Sequence, residues 1–290
     1  MIIIRSPQQM QKMALGFRAK GKTIAVVPTM GYLHEGHVTL LRKARRKADI
    51  VILTLFVNPT QFGPKEDLSR YPRDEKGDLK KAKSCGTDIV FLPQPQDMYP
   101  VGYQTYVEVI QSTQSLCGVS RPHHFKGVTT VVTKLFAITQ PHYAFFGLKD
   151  YQQYAVICRM AKDLNLPVQI IGVPTVREKS GLAMSSRNVY LNVEEKKAAL
   201  CLSRGLKKIR RGAACRAPAR KSAASSAPTL NHLVFMLKKE IKREPLAKID
   251  YIAAVDAKTI QPLKEYQRGN TLFAVAVFFG KTRLIDNIVV

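Results

Sequence analysis

Two histidines three residues apart, His34 and His37, stand in the stretch V-P-T-M-G-Y-L-H-E-G-H, with glycines at positions 31 and 36. A pair of imidazoles can donate hydrogen bonds to phosphate oxygens, and Gly36 between them removes a side chain where a nucleotide would approach. Groups suited to similar chemistry recur later. Lys149 and Asp150 close F-F-G-L-K-D, and Ser185, Ser186 and Arg187 lie in G-L-A-M-S-S-R-N, a polar, glycine-bearing loop suited to a triphosphate. Arg121 precedes a helical pattern, where a guanidinium suits phosphate or carboxylate. Asn58, Thr60 and Gln61 form a polar cluster beside Pro59. Simpler readings stay open. The histidines could be half of a zinc site, although neither a nearby cysteine nor an H-E-x-x-H pattern completes one, or they could sit on a structural loop. Asp150 could cap a helix, and loop polarity alone accounts for residues 58–61 equally well.

The elements needed to position these groups can be read from hydrophobic periodicity. An apolar, β-branched run at 24–27 is stopped by Pro28, and an amphipathic basic pattern occupies 38–47. In an open α/β sheet such a strand–loop–helix junction lies at the carboxyl end of a strand, where backbone N–H groups face a bound anion. Residues 49–57 form a nearly continuous apolar run, the mark of a strand buried on both faces. The pattern continues with an ordered loop at 66–73, a helix capped by Asp74 and running to 83, and a strand at 88–92. An additional, edge strand is expected at 106–110. A helix over 128–138, a strand at 143–146, a helix over 151–164 and a strand at 168–173 follow. This repeated order predicts a right-handed, doubly wound parallel sheet within residues 1–176. Neither G-x-G-x-x-G nor a Walker sequence is present.

Beyond Pro174 the character changes. Helices are expected at 193–209 and 230–243 and strands at 249–255 and 271–279, which makes 177–290 a smaller α+β domain. Residues 205–228 are expected to form a mobile basic insertion, rich in Ala, Ser, Arg and Pro toward its end.

Of 290 residues, 46% are hydrophobic, as an ordinary folded core requires. The formal charge of +25 favours polyanionic ligands, and twelve Lys and Arg residues lie between positions 196 and 239 without an acid. Missing RNA-binding aromatic signatures and zinc spacings argue against nucleic acid as the main partner, so this run reads as a solvated face. No apolar run reaches the roughly 18 to 20 residues that cross a bilayer. The opening M-I-I-I-R-S-P lacks the order of a signal peptide, so a cytoplasmic address and no membrane partner are expected. Five widely spaced cysteines without a C-x-x-C pair read as free thiols, and no metal site is expected.

Taken together, V-P-T-M-G-Y-L-H-E-G-H, F-V-N-P-T-Q-F, D-L-S-R-Y-P-R, S-R-P-H-H-F-K-G-V, F-F-G-L-K-D-Y-Q-Q, G-L-A-M-S-S-R-N and T-R-L-I-D-N resemble, in order and spacing, the pantoate–β-alanine ligase family of the HIGH-type nucleotidylyltransferase superfamily. The resemblance covers nearly the whole chain. It implies ATP-dependent joining of pantoate to β-alanine through a pantoyl-adenylate, releasing pyrophosphate and AMP, with Mg²⁺. It also implies a homodimer, with a Rossmann-like N-terminal domain under a C-terminal lid. His37, as proton donor, His34 and Lys149 would be catalytic. Met30, Gly31, Tyr32, Leu33, His34, Glu35, Gly36, His37, Gly147, Leu148, Lys149, Asp150, Val176, Met184, Ser185, Ser186 and Arg187 would contact ATP. Gln61 would bind pantoate and β-alanine and Gln153 pantoate, with Asn58, Tyr71 and Arg121 at positions that resemble substrate or phosphate contacts. Leu148, His123 and Lys126 depart from the family pattern, in which a polar residue, glycine and arginine are usual at these places.

Overall fold

A computed structural model describes residues 1–64, 66–214 and 229–290. In chain order the elements are β1 (Ile2–Ile4), α1 (Pro7–Ala19), β2 (Ile24–Thr29), α2 (Glu35–Arg45), β3 (Ile50–Leu55), α3 (Glu75–Ser84), β4 (Ile89–Phe91), α4 (Pro95–Met98), α5 (Cys117–Ser120), α6 (His124–Thr139), β5 (Tyr143–Gly147), α7 (Tyr151–Asp163), β6 (Gln169–Val173), α8 (Val193–Ala214), α9 (Leu230–Lys242), β7 (Ala247–Asp256), β8 (Thr271–Phe279) and β9 (Thr282–Val289). They divide into two compact units. The first comprises 1–113, 121–176 and 184–186, and the second 114–120, 177–183 and 187–290.

The first unit is built on a six-stranded, wholly parallel sheet in the order β1-β4-β3-β2-β5-β6. The period-two alternation of its strands sorts their side chains onto two faces. Ile24, Val26, Ile52, Ile89, Phe91, Ala144 and Phe146 share one buried cluster with residues of α1, α6 and α7. Ala25, Val27, Val51, Leu53, Val90 and Phe145 share the other with Val38, Leu41 and Ala44 of α2 and Ala82 of α3. Helices therefore cover both faces, which explains why these strands read as unbroken apolar runs. The expected doubly wound sheet is present.

Two differences from the sequence reading have physical causes, and a third is one of elements not expected. The segment 106–110 is not a strand, because Val107 is bonded to helix side chains: its N–H donates to Thr130 Oγ1 at 3.0 Å and its carbonyl accepts from Thr129 Oγ1 at 2.6 Å. Helix α6 begins at His124, earlier than expected, because His123 takes a left-handed N-cap conformation with φ of 67°. The short edge strand β1, the helix α1 that follows it and the final strand β9 were not anticipated.

In the second unit β7, β8 and β9 form an antiparallel sheet. Its core joins Phe273, Val275, Val277 and Phe279 to α8 and α9. On α8, Ala198, Leu202, Leu206 and Ile209 recur at helical spacing and are buried. Residues 205–214 therefore complete a packed helix and are not the start of a mobile insertion. The rest of that expected insertion, at 215–228, lies outside the described residues.

Candidate active site

The strand order reverses between β2 and β5: the chain proceeds outward from β2 through β3 to β4, then returns to place β5 against the other side of β2. Ligands of open α/β sheets bind at such a switch point, outside the carboxyl ends of the strands. One residue helps to open it. The carbonyls of Thr23 and Thr29 accept from β3-side N–H groups, whereas that of Ile24 accepts from His142 on the β5 side. Even-numbered positions of β2 thus face β5, and Pro28 faces it without an N–H to offer. The pairing of β2 with β3 runs along all of β2, but that with β5 is confined to Ala25 and Val26. Met30 to His37 emerge on one side of this parting and Gly147 to Asp150 on the other.

His34 caps α2: its Nδ1 accepts from the Gly36 N–H at 3.1 Å, while the His34 N–H donates to His37 Nδ1 at 3.2 Å. The rings stack with centroids 4.1 Å apart. Because each Nδ1 accepts, the hydrogen of each neutral ring sits on Nε2. Charge is disfavoured as well. Burial, followed by Lys149, lowers His34 to about 4. Burial, then His34, Lys149 and Lys81, holds His37 well below the usual imidazole value. Near neutral pH the pair is uncharged and offers two Nε2–H donors. Lys149 lies in the 3₁₀ turn after β5, its Nζ 3.7 Å from Asp150 Oδ1. Leu148 beside it lies over β6, where a side chain at Gly172 would meet its Cδ2.

Two residues of α3 join this corner without having been foreseen. The Asp78 carboxylate, 2% exposed, accepts from the N–H groups of Tyr32 at 2.7 Å and Leu33 at 2.6 Å. It holds the loop where Gly31 and Tyr32 take positive φ angles of 86° and 51°. Burial pushes the Asp78 carboxyl up, against the opposing pull of the Leu33 and Tyr32 hydrogen bonds. Lys81, three residues on, acts electrostatically on both histidines. The available signal was an acid on the buried face of α3, four residues before buried Ala82.

Gln61 stands on a platform made by the 3₁₀ turn Pro59–Gln61. Its Nε2 donates to Met30 Sδ at 2.9 Å and its Oε1 accepts from Asn58 Nδ2 at 3.3 Å. Asn58 is buried and engaged within the protein: Nδ2 also donates to the Gly127 carbonyl, and Oδ1 accepts from Tyr99 at 2.8 Å. It fastens the turn that presents Gln61. Helix α6 approaches that turn so closely that a Cβ at Gly127 would collide with the Thr60 carbonyl oxygen. Gly127→Ala is accordingly expected to cost about 1–3 kcal/mol by overpacking, with Gln61 displaced as the turn gives way. Chemical denaturation checks it, and unchanged stability would show that the approach is not tight.

Arg121 is engaged by protein groups: Nε and Nη2 donate to the two Glu66 carboxylate oxygens at 2.7 and 2.5 Å, and Nη2 also to the Gln61 carbonyl at 3.3 Å. Burial would raise Glu66, but Arg121 brings its pKa below the usual value. With Arg121 Nη1 directed at His124 Nε2 at 3.1 Å, His124 Nδ1–H donates to the Gln61 carbonyl at 2.8 Å. Burial and then Arg121 lower His124 to about 4. Like His34, it is neutral when folded and takes up protons more readily when unfolded. Between about pH 6.5 and 4 the unfolded chain binds more protons, so stability falls as pH drops, by up to about 1.4 kcal/mol per pH unit for each histidine. A melting temperature that declines from pH 7 to pH 5, less steeply in His124→Asn, is expected. A flat profile would contradict it.

Of the remaining expected residues, Tyr71 is buried edge-on against Phe62 with ring centroids 5.9 Å apart. Gln153 is half-buried in the first turn of α7. Ser186 Oγ donates to the Tyr32 carbonyl at 3.2 Å, and the Met184 N–H donates to the Val176 carbonyl at 3.0 Å. Val176, Met184, Ser185 and Ser186 belong to the first unit, while Arg187 belongs to the second.

A doubly wound sheet with an imidazole pair and an ammonium gathered at its switch point makes this an α/β protein fitted for a phosphate-bearing ligand. The family profile described as pantoate–β-alanine ligase matches residues 2–289. The chain belongs to that family. It is 51% identical to the pantothenate synthetase of Syntrophotalea carbinolica over 99% of this chain and 98% of that relative. Against the pantothenate synthetase of Geobacter sulfurreducens it is again 51% identical, over 100% and 98%. Its structure matches pantothenate synthetase from Thermus thermophilus with a TM-score of 0.90 at 40% identity, covering 99% of each chain. It matches pantoate–β-alanine ligase from Francisella tularensis, complexed with beta-gamma ATP and β-alanine, with a TM-score of 0.76 at 34% identity, over 100% and 97%.

Proposed function

We propose that this chain joins pantoate to β-alanine at the expense of ATP. In the first step a pantoate carboxylate oxygen attacks the α-phosphorus, the bond to the β-phosphate oxygen breaks, and pyrophosphate leaves with that electron pair, giving pantoyl-adenylate. In the second the neutral amine of β-alanine attacks the acyl carbon, AMP leaves, and the amine loses a proton, giving pantothenate. The carboxylate is already ionised near neutral pH, so the first step needs placement and charge stabilisation and no base.

The observation that carries this reading is the uncharged imidazole pair, with both Nε2–H groups free of the capping bonds, beside Lys149 at the switch point. Neutral donors and an ammonium suit a phosphate whose charge grows as the bond to pyrophosphate breaks. Gln61 and Gln153 are neutral amides that can orient pantoate and β-alanine without competing for the amine's proton. In this reading Asn58 and Arg121 play supporting parts, through their hydrogen bonds to the side chain and the carbonyl of Gln61. The participation of Arg187 rests on its motif alone.

The nucleotide enters as its magnesium salt. Phosphate oxygens and water are fitting ligands for that hard cation. The reading includes a homodimer, favoured by the apolar side chains that Val101, Tyr106 and Ile110 expose along one run of chain. It also includes a cytoplasmic location, which suits an ATP consumer and the free thiols of Cys85, Cys158 and Cys201. Among the described residues no helix is long and apolar enough to cross a membrane. Incubation with ATP, Mg²⁺ and pantoate, with and without β-alanine, tests the activity. Pantothenate and AMP should accumulate only with β-alanine. AMP release that ignores β-alanine would overturn the ligase reading.

A further inference from the structure

The two stacked histidines donate hydrogen bonds but, being neutral, cancel no charge. A triphosphate and its departing pyrophosphate are multiply anionic, so beside the nucleotide's own Mg²⁺ the protein's cations at this corner must be ammonium or guanidinium groups. Arg121 is held by Glu66. Lys149 supplies one ammonium, on the β5 flank of β2.

On the other flank, α3 connects β3 to β4 and is tied directly to the loop after β2, because Asp78 binds the N–H groups of Tyr32 and Leu33. Lys81 lies three residues beyond Asp78, so the two side chains share a helix face. It is half-buried, and among the described residues its ammonium forms no ion pair. Its charge reaches both His34 and His37, as does that of Lys149. Two ammonium groups from elements on different flanks of β2 thus act on one imidazole pair.

We infer that Lys81 is a phosphate-binding residue, its ammonium contacting the β- and γ-phosphates of the nucleotide from the α3 side while Lys149 acts from the β5 side. This rests on the reading of the corner as a nucleotide site and adds a residue to it. Asp78 has a complementary part: it anchors the loop through backbone N–H groups and fixes α3 so that Lys81 is presented.

The test is calorimetric binding of ATP and of AMP, with Mg²⁺ and without pantoate or β-alanine, to the wild-type chain and to Lys81→Met, Lys81→Gln and Lys81→Arg. Loss of a charge-assisted hydrogen bond should weaken ATP binding by about tenfold or more in the two neutral variants. AMP, which lacks the β- and γ-phosphates, should bind within about twofold of wild type, and arginine should restore most of the ATP affinity. A role in folding alone would lower the melting temperature and weaken ATP and AMP alike, and arginine would not rescue selectively. That result, unchanged ATP affinity, or a wild-type chain that binds ATP no better than AMP would each overturn the inference. Because no acyl substrate is present, a failure to make pantothenate would overturn the proposed activity without deciding this measurement.

Discussion

His37→Ala is expected to slow formation of the adenylate by about 10²–10³ at saturating substrates, the range found when one preorganised donor to a developing oxyanion is removed. The residue does two things in this fold. Its Nδ1 accepts the His34 N–H at the start of α2, and its Nε2–H points away from that bond. The two roles separate by substitution, because asparagine Oδ1 stands as many bonds from Cα as histidine Nδ1 and can accept the same N–H, but does not reproduce the reach of Nε2. If the donor role dominates, His37→Asn should be nearly as slow as His37→Ala while melting close to wild type. Full recovery of pantoate-dependent pyrophosphate exchange in His37→Asn would reduce His37 to a cap. The same geometry bears on the expectation that His37 donates a proton outright. A second proton on the ring would have to enter at Nδ1, displacing the backbone hydrogen bond in a buried place where charge is already disfavoured. Stabilising phosphate through Nε2–H requires no such displacement.

The second large effect is expected at Lys149. Lys149→Met should lower the same exchange rate by about 10²–10³ or more, since it removes a full charge from the site of charge development. Lys149→Arg should recover only part, because a planar fork is a poor replacement for a compact ammonium. Lysine also contributes to keeping both imidazoles uncharged. Its loss should therefore raise the His34 titration observed by NMR from its depressed value of about 4. A normal exchange rate together with unmoved histidine titrations would remove Lys149 from the corner.

How much of this could be read beforehand depends on how local each signal is. Strands β2, β3 and β5 were legible because burial on both faces writes itself as short apolar runs ending in Pro or Gly, and the histidine pair was legible because capping acts within three residues. The failures came where distant chain decides. Nothing near residue 107 indicates that its backbone groups will be bonded by Thr129 and Thr130, and a β-like pattern there gives no strand. Nor could it be read that Glu66, distant in sequence, would pair with Arg121. Asp78 and Lys81 were passed over because α3 looks like an ordinary solvated helix until its buried acid is found on the loop of another strand. The glycine-to-histidine departure at position 123 was noticed, but its left-handed backbone, where glycine would fit without strain, emerged only in three dimensions.

The reversal of strand order between β2 and β5 also governs how the molecule is made. During synthesis β2, β3 and β4 can pair as soon as they emerge, yet the strand that will occupy the middle of the sheet keeps a bare flank until residues 143–147 are translated. Such a flank is adhesive to any other extended chain. Ala25 and Val26 must wait for partners more than a hundred positions downstream, a delay that favours slow closure of the sheet's centre. A nascent fragment ending before β5 would thus carry the histidine pair on a sticky half-sheet, and this is the stage at which a chaperone would have most to protect.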